Sequence, residues 1–135
     1  MTDRETLFTY RLREAEETLA DAGTMLTTGV SARSVVNRAY YAMFYAILAL
    51  FIAENVEHKT SKHAGIISLF DRTMVHTGKL DRKYSRILHR LFDARQESDY
   101  KEFIQFTSEE AADCFRMAEE FLRAVKGLIE QDVSK

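Results

Sequence analysis

The absence of proline is the feature of this 135-residue chain that most restricts its fold. Proline interrupts helices and glycine weakens them, and the sequence contains no proline and only five glycines. Hydrophobic residues make up 46% of the chain and charged residues 30%, which is typical of a globular domain. The length suits one domain with a buried core. We therefore predict a single, mostly helical domain over residues 1–135.

Apolar residues that recur at steps of three and four predict five amphipathic helices. Several residues are suited to cap or end these helices. They are Gly29, Ser31, either Thr60 or Ser61, Gly78, and the capping box Thr107–Glu110. Between those ends, the second helix is predicted over about residues 32–54 and the fourth over about residues 81–97. Short connections favour an all-α, antiparallel up-and-down bundle.

Residues 39–53 form an uncharged run that is too short for an ordinary membrane span. The run predicts a helix that is buried on nearly all sides. The charged N-terminus lacks the apolar core of a signal peptide, so we expect a cytoplasmic protein without membrane association. The single cysteine, Cys114, lies on an apolar stripe and is expected to be a buried small residue rather than a nucleophile.

The net charge of −2 argues against a general nucleic-acid coat, but the charge is unevenly distributed. Residues 79–95 contain six Lys or Arg and two Asp, a net of +4, and residues 107–120 contain five acids and one arginine, a net of −4. The basic segment either meets phosphate or pairs with the acidic one. No histidine follows a glutamate at the spacing of a helical metal site, so we expect no metal and no other cofactor.

The most informative candidate residue is Arg95, at the start of the hexapeptide 95–100. The apolar stripe of the fourth predicted helix continues directly onto Arg95, which places a cation on a buried face. Such a cation requires an anion, a partner or a cleft. Asp99 and Tyr100 follow one turn later and belong to the same candidate site.

Two further groups are candidates for binding an anion. Arg38, Tyr41 and Tyr45 share one stripe of the second predicted helix; either the arginine pairs with an acid at the core edge, or the three line a polar cleft. Lys62 and His63 lie at the start of the third predicted helix, where free amides and the helix dipole favour an anion. A simple helix cap explains part of that second pattern.

Three segments of the chain resemble the HEPN domain family, in its branch of small prokaryotic proteins. They are residues 34–46 with Arg-Ala-Tyr-Tyr-Ala, residues 62–70, and residues 91–100 with Arg-Gln-x-Ser-Asp-Tyr. The resemblance implies a bundle that pairs as a homodimer and binds RNA or nucleotide phosphate at the dimer cleft. It also implies a partner, a minimal nucleotidyltransferase, in a toxin–antitoxin pair. The alternative is a non-enzymatic dimeric module that docks this partner.

The resemblance also bears on catalysis. In many HEPN proteins an arginine, followed after four to six residues by a histidine, forms a metal-independent ribonuclease site. Arg95 matches the arginine, but Tyr100 stands at the histidine position. A tyrosine is only about one part in a thousand ionised at pH 7 and is a poor base, so ribonuclease activity with Arg95 and Tyr100 stays open. Tyr100 is alternatively the residue to which the partner transfers AMP, as in some HEPN pairs, or packs into the dimer seam.

Overall fold

The computed structural model of the chain describes residues 2–100 and 105–133, with the side chains of residues 98–100 and 133 outside that description. The helices are α1 (Asp3–Thr28), α2 (Ala32–Ala53), α3 (His63–Phe70), α4 (Arg82–Tyr100) and α5 (Ser108–Val133). A π-helical turn, Asp71–Val75, continues α3. The described part of the chain contains no strand, and the predicted all-α, HEPN-like bundle is confirmed.

The first two helices form an antiparallel pair whose caps were predicted correctly. Gly29 ends α1 in a left-handed conformation, with φ of 78°, which suits glycine. The Ser31 hydroxyl accepts the Ser34 N–H and caps α2. At the opposite end of the pair, Nη2 of Arg4 donates to the Ile52 carbonyl oxygen at 2.6 Å. The start of α1 is thereby tied to the end of α2.

The second helix is the centre of the bundle and packs against α1, α4 and α5. Its alanine stripe is buried at positions 42, 46 and 49, which allows close approach of the neighbouring helices. Among the described helices, α2 alone is long and apolar enough to cross a membrane by length and composition. However, 67% of its most apolar stretch is buried inside the bundle, as expected for a core helix.

The third helix differs most from the sequence prediction. Its predicted start at Thr60 or Ser61 is wrong, because α3 begins at His63. The Thr60 hydroxyl accepts the Lys62 N–H at 3.1 Å, so it closes a local turn ahead of the helix and does not cap it. The π-helical turn, which was not predicted, ends before Gly78, where φ is 82°.

The last two helices lie against α2 and against each other. The predicted capping box is confirmed: the Thr107 N–H donates to Oε1 of Glu110, and the Glu110 N–H donates to the Thr107 hydroxyl, both at 3.0 Å. Lys83 and Glu120 form a 2.5 Å ion pair between α4 and α5, so the basic and acidic segments pair at this point. Cys114 is buried, as predicted, and burial raises the pKa of its thiol.

Two buried leucines of α4 determine where the candidate site lies. Leu88 and Leu91 are fully buried against the core. Arg95 lies one helical turn beyond Leu91 on the same stripe and is itself half-buried. The helix also continues to Tyr100, past its predicted end near Glu97, so the whole hexapeptide is helical.

Candidate anion-binding site

The side chain of Arg95 lies over two aromatic rings of α2. Its guanidinium carbon is 5.4 Å from the ring centre of Tyr40 and 5.2 Å from the ring centre of Tyr41. Both distances fall within the range of a cation–π interaction, which stabilises a guanidinium group where water is partly excluded. The contact also explains how a bundle accommodates an arginine on a buried stripe.

A second guanidinium group approaches the same ring. The guanidinium carbon of Arg38 is 5.3 Å from the ring centre of Tyr41, so that this ring is shared by two cations. Nε and Nη2 of Arg38 donate to Oδ1 of Asn37, a neutral amide, at 3.2 and 3.0 Å. The ring centre of Tyr45 lies 5.9 Å from that of Tyr41 and extends the aromatic row. The stripe predicted from sequence therefore lies beside Arg95.

The ring of His63 completes this group of side chains, which we call the Arg95 cluster: Arg38, Tyr40, Tyr41, Phe44, His63 and Arg95. The His63 ring stacks on Phe44, with ring centres 4.1 Å apart and an interplanar angle of 19°. Its Nδ1 lies 2.7 Å from the Tyr40 hydroxyl oxygen. The histidine thus turns into the bundle and contacts α2.

Sequence reasoning missed two residues of the cluster, Phe44 and Tyr40, and of these two Tyr40 carries a polar group. Tyr40 lies in the uncharged run, which was predicted to be buried on nearly all sides, and it is fully buried. The side-chain period of α2 does not reveal its role, because its partners His63 and Arg95 come from α3 and α4. A tyrosine hydroxyl deep in an apolar helix needs a partner, and that requirement is the signal available in the sequence.

At neutral pH some ionisable groups of the cluster are uncharged and others carry a positive charge. Burial raises the pKa of Tyr40 well above its ordinary range, against the opposing effect of Arg95, so its phenol stays protonated. Burial lowers the pKa of His63, and the positive charge of Arg95 lowers it further. Next to the cluster, burial and the negative charge of Glu14 raise the pKa of Tyr45. At neutral pH the positive charge of the cluster therefore resides on its two guanidinium groups.

The remaining candidate residues are Lys62, Asp99 and Tyr100. Lys62 is exposed and precedes His63 at the start of α3, where its side chain makes no capping hydrogen bond. The side chains of Asp99 and Tyr100 lie outside the described residues, so their predicted roles stay predictions. Within residues 2–100 and 105–133, no three His, Cys, Asp or Glu side chains gather in a set able to hold a metal ion.

Comparisons with known proteins agree with the resemblance stated from the sequence. The family model described as HEPN domain matches residues 8–128. A UPF0332 protein of Thermotoga maritima is 38% identical over 130 residues, which cover 96% of each chain. A protein of Methanocaldococcus jannaschii named "Putative toxin" is 34% identical over 117 residues, 87% of this chain and 84% of that protein. A UPF0332 protein of Archaeoglobus fulgidus is 32% identical over 122 residues, 90% of this chain and 94% of the relative.

Proposed function

The chain belongs to the HEPN domain family, and from that membership we propose that it is the toxin component of a pair with a minimal nucleotidyltransferase. In this proposal the protein is a cytoplasmic homodimer that binds the phosphate of RNA or of a nucleotide at a cleft between its subunits. Two relatives from Methanocaldococcus jannaschii with toxin in their names support the first part. The Arg95 cluster supports the binding of phosphate.

The observation that carries the binding proposal is the pair of guanidinium groups that share the ring of Tyr41. Arg38 and Arg95 approach its centre to 5.3 and 5.2 Å, so two like charges contact one ring on a half-buried surface. They repel each other, and a bound phosphate relieves that repulsion. Guanidinium groups also match phosphate oxygens geometrically, with two parallel hydrogen bonds from one side chain.

The aromatic rings beside these cations favour a nucleotide over inorganic phosphate. Tyr41 and Tyr45 form a row of rings on the same face of α2, and both are half-buried, with part of each side chain accessible. A base that stacks on a tyrosine ring adds about 1–3 kcal/mol of binding free energy. The proposed ligand therefore places phosphate on the arginines and its base on this row.

Titration calorimetry with the purified protein tests this proposal, with ATP, AMP and a single-stranded RNA oligonucleotide as probes. Arg95→Ala is expected to weaken binding at least about tenfold, because a hydrogen bond to a charged group contributes about 1.5–3 kcal/mol. Arg116→Ala is the matched control: it removes the same charge from an exposed position on α5, where Arg116 pairs with Asp113. Equal affinities of the two variants would refute the assignment of the site.

Incubation with RNA in EDTA separates a ribonuclease from a binding module. Cleavage by the wild-type protein that is lost in Arg95→Ala and retained in Arg116→Ala supports a metal-independent ribonuclease. RNA or nucleotide binding without cleavage supports the non-enzymatic module that docks a nucleotidyltransferase. The histidine expected for cleavage is replaced by Tyr100, and we therefore place phosphate binding ahead of catalysis.

Tyr100 is proposed as the residue that the partner modifies. In this step the Tyr100 hydroxyl oxygen bonds to the α-phosphorus of ATP, the bond to pyrophosphate breaks, and the hydroxyl proton passes to solvent. Co-expression with a minimal nucleotidyltransferase, followed by mass spectrometry, is expected to reveal a mass increase of one AMP on the peptide with Tyr100. An adduct that persists in Tyr100→Phe would remove Tyr100 from the proposal.

The proposed cleft requires two copies of the chain. Light scattering at micromolar concentration is expected to give the mass of two chains of 15.6 kDa. A monomeric protein that still binds the nucleotide probes with wild-type dependence on Arg95 would show that the site is complete within one subunit.

A further inference from the structure

We infer that His63 is a second ligand-binding residue of the Arg95 cluster: an uncharged donor whose Nε2–H binds a phosphate oxygen, with its tautomer set by the buried hydroxyl of Tyr40. The inference rests on the proposed function, because it names the hydrogen bond that accompanies the charge of Arg95. The sequence analysis expected His63 to bind an anion as part of a helix N-terminus. The inference instead assigns the binding to a hydrogen bond from the imidazole ring.

The first step of the argument is that the His63 ring has one orientation. Phe44 stacks on its face at 4.1 Å, and the ring of Tyr41 packs edge-on at 5.6 Å with an interplanar angle of 82°. The Tyr40 hydroxyl lies 2.7 Å from Nδ1. With face, edge and one nitrogen all in contact, the imidazole is held in place before any ligand arrives.

The second step assigns the proton. Tyr40 is fully buried, so an unsatisfied O–H there would cost about 1–3 kcal/mol. In the described part of the chain, the hydrogen bond of that hydroxyl is the one to His63, and the hydroxyl is therefore the donor. Nδ1 of His63 then accepts, and a neutral imidazole that accepts at Nδ1 carries its one proton on Nε2.

The third step is that the ring stays neutral. Protonation would turn Nδ1 into a donor, so that the Tyr40 hydroxyl oxygen would have to accept and its own buried O–H would lose its acceptor. Partial burial and the charge of Arg95 also oppose protonation and lower the pKa of His63. The ring therefore offers one N–H donor and no free lone pair, which makes it a binding group and a poor general base.

The fourth step places this donor beside the cation. The ring centre of His63 and the guanidinium carbon of Arg95 lie 5.6 and 5.4 Å from the ring centre of Tyr40, and 5.6 and 5.2 Å from that of Tyr41. Both groups thus adjoin the same two tyrosines. Arg95 supplies charge to a phosphate group, and His63 supplies a directional hydrogen bond that adds no further like charge to the site.

The tautomer is tested directly on the wild-type protein by ¹⁵N–¹H correlation spectra of its histidine rings at pH 7. The expected result for His63 is a protonated-type nitrogen shift at Nε2 and an unprotonated-type shift at Nδ1. A proton on Nδ1 would overturn the inference. In Tyr40→Phe, which keeps the ring and removes only the hydroxyl, the preference for the Nε2–H form is expected to weaken.

Calorimetry with ATP as the probe tests the binding role. His63→Ala is expected to weaken binding at least about tenfold, because the lost hydrogen bond is to a charged phosphate oxygen. His63→Gln keeps an N–H near the position of Nε2 and is expected to stay within about threefold of wild type. If His63 is instead a catalytic base, His63→Gln abolishes RNA cleavage while retaining affinity, and that result overturns the inference.

The two proposals fail in different ways. Binding that survives His63→Ala but is lost in Arg95→Ala overturns this inference and leaves the proposed function standing. A wild-type protein that binds none of ATP, AMP and the RNA oligonucleotide overturns the proposed function, and this inference with it.

Discussion

Replacing Gly127 by alanine is expected to stabilise the protein, whereas the same replacement of Gly23 is not. Both glycines lie inside long helices, α5 and α1, where alanine is favoured over glycine by about 1 kcal/mol. A Cβ atom at position 127 would meet no heavy atom within 4 Å, so the full gain is kept. A Cβ atom at position 23 would lie 3.1 Å from Cζ and 3.2 Å from Cε1 of Phe115. Carbon atoms prefer separations of about 3.5–4.0 Å, and such overpacking costs about 1–3 kcal/mol.

The two variants should therefore differ by at least about 1 kcal/mol in the free energy of unfolding. Urea unfolding followed by circular dichroism measures this difference, and for Gly127→Ala the melting temperature should rise by about 3–6 °C. Adding Phe115→Leu to each variant is the control, since a smaller side chain should relieve the contact at position 23 and leave position 127 unaffected. Equal stabilisation by both alanines would refute the close packing of α1 against α5 at Gly23.

Three further predictions concern the core, a helix cap and the cluster. Leu91→Ala should lower the free energy of unfolding by about 2–5 kcal/mol, whereas Leu7→Ala, at a position 46% exposed, should lower it by less than about 1 kcal/mol in the same urea experiment. Thr107→Ala removes the acceptor of the Glu110 N–H and should lower it by about 1 kcal/mol; no change would show that the capping box adds nothing to stability. His63 should make the wild-type protein less stable as the pH falls. Above about pH 6.5 the residue is neutral in both states, and below it the unfolded chain takes up a proton that the folded chain resists. Unfolding curves between pH 7.5 and 5 should show a smaller loss in His63→Gln, and identical losses would contradict the lowered pKa.

The parts of the fold that were predicted correctly are those governed by near neighbours in the sequence. Gly29, Ser31 and the Thr107–Glu110 box act within one helical turn, and the structure places each cap where the pattern indicated. The start of α3 depends instead on whether the Thr60 hydroxyl caps a helix or closes a turn. Both uses fit the same residues, and only the folded chain decides between them.

The candidate site was predicted in part for a similar reason. The stripes that carry Arg38, Tyr41 and Arg95 follow from helical periodicity, and the structure brings these residues together. The role of Tyr40 depends on partners from two other helices, and no local pattern encodes which helices meet. A buried face predicted from periodicity thus identifies where a site lies without identifying every residue in it.

The central position of α2 has a consequence for how the chain is made. A ribosome releases α2 well before α5, which begins only at Ser108. Until α5 emerges, the side of this apolar helix that packs against α5 has no partner in the chain. Transiently exposed apolar surface of this kind favours aggregation and is the surface that chaperones bind. Slow translation between residues 54 and 107 would prolong the exposure, and the yield of folded protein should then depend on synthesis rate as well as on stability.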